Sequence, residues 1–284
     1  MTTKTVRHDV LGPWSLATSQ DFWEGFAPAA LRGQRLGTLT TVFRVDADWS
    51  VAELTLIQQD TVADVTVTGE GDLEAAVAQA MQFLALDVDA REWPEIGHRD
   101  EVIAEAQHEL PGLRPCGFHS AYEAAAWSVL SQRVRITQAA HLRQRLIADH
   151  GDGGAFPSPE TVLRLDLDLP GRKAEYLHAI AAAALDGVLD TAELRAMTPD
   201  EAMTRVQSIT GVGPFAAELI VLRGANSPDA IPTHERRLEA AVAERYGTER
   251  SLTEVAEAWR PFRTWASVYL RALGERRSSG TEQG

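Results

Sequence analysis

The stretch Ile209-Thr-Gly-Val-Gly-Pro-Phe-Ala-Ala217 decides how this chain is read. Two glycines two positions apart stand between one apolar-periodic segment and the next, a pattern that predicts a tight turn joining two helices. Such a turn leaves the first backbone N–H groups of the following helix unpaired. The helix dipole adds a partial positive charge there, so the terminus suits a phosphate. A plain tight turn with no ligand fits the same residues.

Helix starts on either side are legible from side-chain chemistry. Ser120-Ala-Tyr-Glu123 has the spacing of a capping box, in which hydroxyl and carboxylate each satisfy an orphan backbone donor. It predicts one long helix through Trp127, Leu130, Val134 and Leu142, stopping near Gly151. Ser158-Pro-Glu-Thr161 opens a short helix, and Gly171 to Asp186 forms another, closed by Gly187. Thr198-Pro-Asp-Glu201 opens the helix before the glycines, and a last one is expected from Pro261 through Leu273. Upstream the texture changes. Runs rich in Val, Thr and Leu over residues 38–45, 51–57 and 62–68 predict strands, followed by a helix over Leu73 to Leu86. The expected fold class is therefore α+β: a small N-terminal antiparallel β-sheet with a helix (residues 1–112), a mainly all-α domain (113–277), and a polar tail (278–284).

Bulk properties narrow the function. With 284 residues the chain can bury a sizeable core, and 44% hydrophobic with 24% charged residues is ordinary for a soluble globular protein. No apolar run is long enough to span a membrane, and residues 1–10 have no apolar core of a signal peptide, so a cytoplasmic protein is expected. The single cysteine, Cys116, excludes a disulfide framework, a cysteine zinc site and a cysteine-ligated iron–sulfur cluster. The histidines lack the spacing of a helical zinc site, so no transition metal is expected. The net charge of −14 opposes nucleic-acid binding at long range. Arginines nevertheless gather at 133, 135, 143 and 145, at 236 and 237, and at 260, 263 and 271, which permits a local basic face.

Together with Leu222-Arg-Gly224 and Ala230-Ile-Pro232, the glycine turn resembles the helix–hairpin–helix DNA glycosylase superfamily. The chain is most similar to its 3-methyladenine glycosylase II branch. Tyr122-Glu-Ala-Ala-Ala-Trp-Ser-Val-Leu-Ser-Gln132 and Ala256-Glu-Ala-Trp-Arg-Pro-Phe-Arg-Thr-Trp265 carry the same resemblance, which runs from about Trp14 to Arg277. It implies a base-excision-repair enzyme that flips a damaged base out of duplex DNA. It implies, too, that Gln132 and Arg133 enter the base stack, with Arg133 at the wedge position, where an apolar side chain is commoner. Gly211, Val212 and Gly213 would give backbone N–H groups to a phosphate, with a monovalent cation on nearby carbonyls, and Arg236 would assist in DNA binding. Trp127, Phe215, Trp265 and Tyr269 would wall the base pocket. Bifunctional relatives carry a nucleophilic lysine two residues after the second glycine. Phe215 stands there, so imine chemistry and strand cleavage are not expected. Beyond that cation no cofactor is implied, and a monomer working at the nucleoid is the expected state.

One departure bears on catalysis. The family's catalytic aspartate lies two residues after a proline. In Pro232-Thr-His-Glu-Arg-Arg237 that position is His234, and Glu235 is the nearest carboxylate in sequence. Cleavage of an N-glycosidic bond builds positive charge on the sugar, which a carboxylate stabilises and a protonated histidine opposes. Glu235 could replace the missing acid or simply favour a helix N-terminus, and His234 could act as a base on water. Purines alkylated at N3 or N7 are cationic and leave readily, so they need less help from a carboxylate. Three functions follow: a monofunctional glycosylase for cationic purines, a damage-binding protein of the same fold with weakened catalysis, or, favoured only by the acidic balance, a helical domain with no nucleic-acid role.

Overall fold

The structure, a computed structural model, describes residues 1–24 and 37–281. Four antiparallel strands, β1 (Thr2–Asp9), β2 (Thr38–Arg44), β3 (Val51–Gln59) and β4 (Val62–Gly69), form one sheet in the order β1-β4-β3-β2. Alternation sets the register: Leu54 lies opposite Val67 and Leu56 opposite Val65, all buried on one face. Strand β1 has no counterpart in the expectations above. Its lysine and arginine, Lys4 and Arg7, sit on an edge strand, where polar residues protect an open ladder and hide the hydrophobic signal.

Helices α1 (Leu16–Glu24) and α2 (Leu73–Phe83) belong with the sheet. Asp72 caps α2 by accepting from the N–H groups of Glu74 and Ala75, and Ala76, Ala80 and Met81 face the strands. Helices α3 (Trp93–Arg99) and α4 (Glu101–Glu109) follow. The rest of the chain is helical: α5 (Ala121–Leu130), α6 (Ile136–His150), α7 (Pro159–Arg164), α8 (Lys173–Leu185), α9 (Thr191–Ala196) and α10 (Pro199–Gln207). Then come α11 (Pro214–Leu219), which runs into a π-helical turn (Ile220–Gly224), α12 (Arg236–Tyr246), α13 (Leu252–Ala256) and α14 (Arg263–Thr281).

Three cores hold these elements. The sheet and α2 enclose the first. A second lies among α5, α8, α10 and α11, around Trp127, Ile180, Val206 and Ala217. In the third, Trp93 and Ile103 of α3 and α4 pack with Leu238, Trp259, Trp265 and Tyr269 from α12 to α14. Residues 93–110 therefore share a core with the C-terminal helices, although they precede the expected domain boundary at 112. Periodicity shows that a helix exists, but not which core it joins. Asp100 ties this third core together, since it caps α4 and accepts from Tyr246 Oη at 2.9 Å and Trp259 Nε1 at 2.8 Å. The buried Arg114 guanidinium donates to the carbonyls of Leu11, Pro13, Ala85 and Val88, pinning the N-terminal segment to the helices.

Two helix predictions need correction. The long helix expected from Ser120 to Gly151 is broken between α5 and α6, at residues 131–135. The Ser120 hydroxyl caps Glu123 N–H, but the Glu123 carboxylate does not reciprocate. It is held instead by Arg143 at 2.6 Å and His119 at 3.4 Å. Downstream, the last helix continues through Ser278 to Thr281, so part of the expected polar tail is helical, while 282–284 lie outside the described residues.

Candidate active site

The hairpin is built from both sides. A capping box between Thr198 and Glu201 opens α10, and buried Ile209 and Val212 anchor the turn after it. Gly211 has φ +94°, and a Cβ there would lie 2.5 Å from the Tyr176 ring, so only glycine fits. Gly213 is the N-cap of α11 with no side-chain cap, and Pro214 follows at the first helical position. The first N–H bonded within this helix belongs to Ala217, which leaves those of Phe215 and Ala216 without an intrahelical partner. The carbonyls of Ile209 and Gly211 each already accept an N–H donor, from Val212 and Gln132.

Across from the hairpin lies the break between α5 and α6. Lys173, 5% exposed, sends its ammonium to the carbonyls of Val129, Leu130 and Gln132 at 2.7, 3.0 and 2.7 Å. These are carbonyls at the C-terminal end of α5, where a cation is favoured. Burial pulls the Lys173 pKa below its ordinary value. With its carbonyls so engaged the chain leaves the helix, and Arg133 takes φ +54°, a left-handed conformation costly for a side-chain-bearing residue. Gln132 Nε2 donates to Gly211 O at 3.2 Å, joining this loop to the hairpin. Arg133, Arg135 and Ile136 are exposed beside it.

Beside the hairpin is a cavity of about 310 Å³ between α11, α14 and the segment before α12. Its wall is apolar, with Phe22, Ile136, Phe215, Leu219 and Leu222, and carries two carboxylates, Glu218 and Glu235. Glu235 is the N-cap of α12, makes no side-chain cap bond, and is ion-paired with Arg271. Glu218 is 4% exposed and accepts four hydrogen bonds. Its Oε1 accepts from Thr233 N–H at 2.8 Å, Thr233 Oγ1 at 2.7 Å and His234 Nδ1 at 2.7 Å, while Oε2 accepts from His234 N–H at 3.0 Å.

The structure thus brings together the hairpin, Gln132, Arg133, Phe215, His234 and Glu235. Arg236 opens α12 and is exposed, next in chain to that group. Trp127, Trp265 and Tyr269 are buried at 4%, 0% and 1% and do not line the cavity. Helical spacing separates the faces of α14: Thr264, Ser267, Val268 and Arg271 meet the cavity, whereas Trp265 and Tyr269 pack on Trp93. Several clustered arginines are engaged by acids, Arg143 by Glu123, Arg263 by Asp229, Arg260 by Glu257 and Arg271 by Glu235, whereas Arg133, Arg135, Arg145, Arg236 and Arg237 are exposed. The sequence expectations do not include Glu218 or Lys173. A signal for Glu218 existed: it is a lone carboxylate in the run Phe215 to Leu222, where an acid is buried only with partners.

The chain resembles known proteins along most of its length. A DNA-3-methyladenine glycosylase of Bacillus subtilis (strain 168) is 25% identical over 216 residues, covering 69% of this chain and 71% of that protein. A probable bifunctional transcriptional activator/DNA repair enzyme AlkA of Mycobacterium tuberculosis is 31% identical over 216 residues. The match takes in 70% of this chain but only 42% of that longer protein. This chain belongs to the helix–hairpin–helix DNA glycosylase superfamily, in its 3-methyladenine glycosylase II branch. The fold agrees: a solved 3-methyladenine DNA glycosylase from Archaeoglobus fulgidus superposes with a TM-score of 0.73 at 20% identity, covering 93% of this chain and 97% of the other. No family model matches the sequence. Within this superfamily the hairpin and the apolar cavity beside it are the parts to which a function must be assigned.

Proposed function

We propose that this chain is a monofunctional DNA glycosylase that hydrolyses the N-glycosidic bond of alkylated, cationic purines flipped out of duplex DNA. The observation that carries this reading is the cavity. It is apolar, of the size that holds a small flat ligand, and it opens beside the hairpin with carboxylates on one wall. Phe215, 55% exposed, stands on that wall where a lyase would need its lysine, and its ring offers a face to a cationic base. The N–H groups of Phe215 and Ala216, without intrahelical partners, suit a phosphate, and the exposed Arg133 would fill the gap a flipped base leaves. Binding to double-stranded DNA should then weaken steeply with salt despite the net charge of −14, because only the local face must be basic.

A cationic purine leaves as a neutral molecule, so departure needs no acid. What remains for the protein is to position the nucleotide and stabilise the sugar cation. Single-turnover base release from duplexes carrying 7-methylguanine or hypoxanthine tests this. Release of 7-methylguanine should be faster by about 100-fold or more. Comparable rates would refute the preference for cationic bases. One observation favours a second reading, binding without cleavage: Glu235, the carboxylate nearest the missing aspartate in sequence, is neutralised by Arg271. That reading requires tight binding to a duplex with an abasic analogue and no release of either base.

A further inference from the structure

The family position of the catalytic carboxylate holds His234, yet a carboxylate is present there in space. Glu218 reaches from α11 so that its Oε2 lies 3.0 Å from the His234 amide nitrogen. Four donors converge on it. An ionised carboxylate is acceptor-only, so the imidazole nitrogen 2.7 Å away, Nδ1, must carry a proton. A neutral imidazole with Nδ1–H bears its lone pair on Nε2. That nitrogen makes no hydrogen bond among the described residues, and the His234 side chain is 51% exposed. His234 is not itself a lining residue of the cavity, but it is bonded to Glu218 and next in chain to Glu235, which both line it.

We propose that Glu218 and His234 form a water-activating dyad, in which Glu218 positions the imidazole and His234 Nε2 takes the proton of the attacking water. This rests on the glycosylase reading and names the group that does its hydrolytic step. The C1′–N bond breaks with its electron pair going to the cationic base, which departs neutral and leaves the positive charge on the sugar. Water oxygen bonds to C1′, one water proton passes to Nε2, and the histidine later returns it to solvent. The products are the free base and an abasic deoxyribose. The dyad also removes the electrostatic objection to a histidine here. With the imidazole neutral it carries a net charge of −1 towards the forming cation, and after proton transfer it is neutral rather than positive. Glu218 is buried and three of its four donors crowd Oε1, the oxygen that holds the imidazole, so it acts through the imidazole as a positioning residue.

Other charged groups bear on the same rim. Glu235 at the start of α12 is paired with Arg271 of α14, Arg223 of the π-helical turn lines the cavity, and Arg236 is exposed beside it. They are unchanged in variants of the dyad, so comparing rates as ratios to wild type isolates it.

The test is single-turnover release of 7-methylguanine by the full chain across pH 5–8, for wild type, Glu218→Gln, Glu218→Asp, His234→Asn and the double variant Glu218→Gln/His234→Asn. Affinity for a duplex containing an abasic analogue is measured in parallel. A base of this kind is worth about 100-fold or more. His234→Asn should therefore lose about that factor, with affinity within about twofold, and the acid limb of the wild-type profile should vanish. Glu218→Gln should slow release, because the imidazole loses the carboxylate that orients it. Glu218→Asp should recover part of the rate. The double variant should be no slower than the slower single one, since the two act as a unit. An unmoved rate and acid limb in His234→Asn overturn the dyad even if Glu218→Gln fails to fold, and so do multiplicative losses in the double variant. No release by wild type overturns the glycosylase reading, and the dyad with it.

Discussion

Replacing Lys173 by methionine keeps the apolar stem of the side chain as far as Cε and deletes the ammonium. Three carbonyls, of Val129, Leu130 and Gln132, lose their donor. Hydrogen bonds from a charged donor contribute about 1.5–3 kcal/mol each. Part of this is offset, because the ammonium no longer has to be stripped of water, a cost visible in the direction of its shifted pKa. Gln132 is half-buried, so water can replace one of the three bonds. The net loss should be about 2–4 kcal/mol, read as a lower urea midpoint with an unchanged slope. Function should fall as well. Without the ammonium the end of α5 is free to continue towards α6, and Arg133 has no reason to keep its left-handed conformation. Affinity for a duplex with an abasic analogue should drop by about 10-fold, while the salt dependence changes little. A stability change below about 1 kcal/mol together with unchanged affinity would refute the idea that Lys173 sets the break.

Three further substitutions separate folding from binding. Asp46 is buried where its Oδ2 accepts the Thr191 hydroxyl and its Oδ1 has no partner, and burial raises its pKa from 3.8 to about 7. The folded value lies above the unfolded one, so its favourable contribution is complete below pH 3.8 and is lost as pH rises through about 7. Asp46→Asn should thus stabilise the protein at pH 8 by up to about 4 kcal/mol relative to its effect at pH 4, measured by urea unfolding at both values. Equal effects at the two pH values would be the wrong outcome. The hairpin glycines differ in kind. Gly211→Ala forces a Cβ to 2.5 Å from the Tyr176 ring at φ +94° and should destabilise by about 2–4 kcal/mol. Gly213→Ala meets nothing within 4 Å and should leave the melting curve almost unchanged while weakening duplex binding, because the methyl stands where a phosphate must approach. Intact binding by Gly213→Ala would remove the hairpin from the DNA contact.

What the sequence determined by itself are the features governed by neighbours a few residues apart. Ser158, Thr198 and the glycine at 211 announce caps and a tight turn because a hydroxyl reaches only the N–H three residues on, and because φ of +94° excludes a side chain. The alternation in β3 and β4 announces strands for the same local reason. The tertiary structure alone decided matters that hang on distant partners. It broke the helix after Leu130, through an ammonium more than forty residues away. It turned Trp265 and Tyr269 into the core while presenting Ser267 and Arg271 to the cavity, a choice of helix face that aromatic composition does not specify. It also brought Glu218 under His234, sixteen residues on. The carboxylate that holds His234 comes from another helix, because a site is fixed by where side chains end in space and not by which residue of the chain carries them.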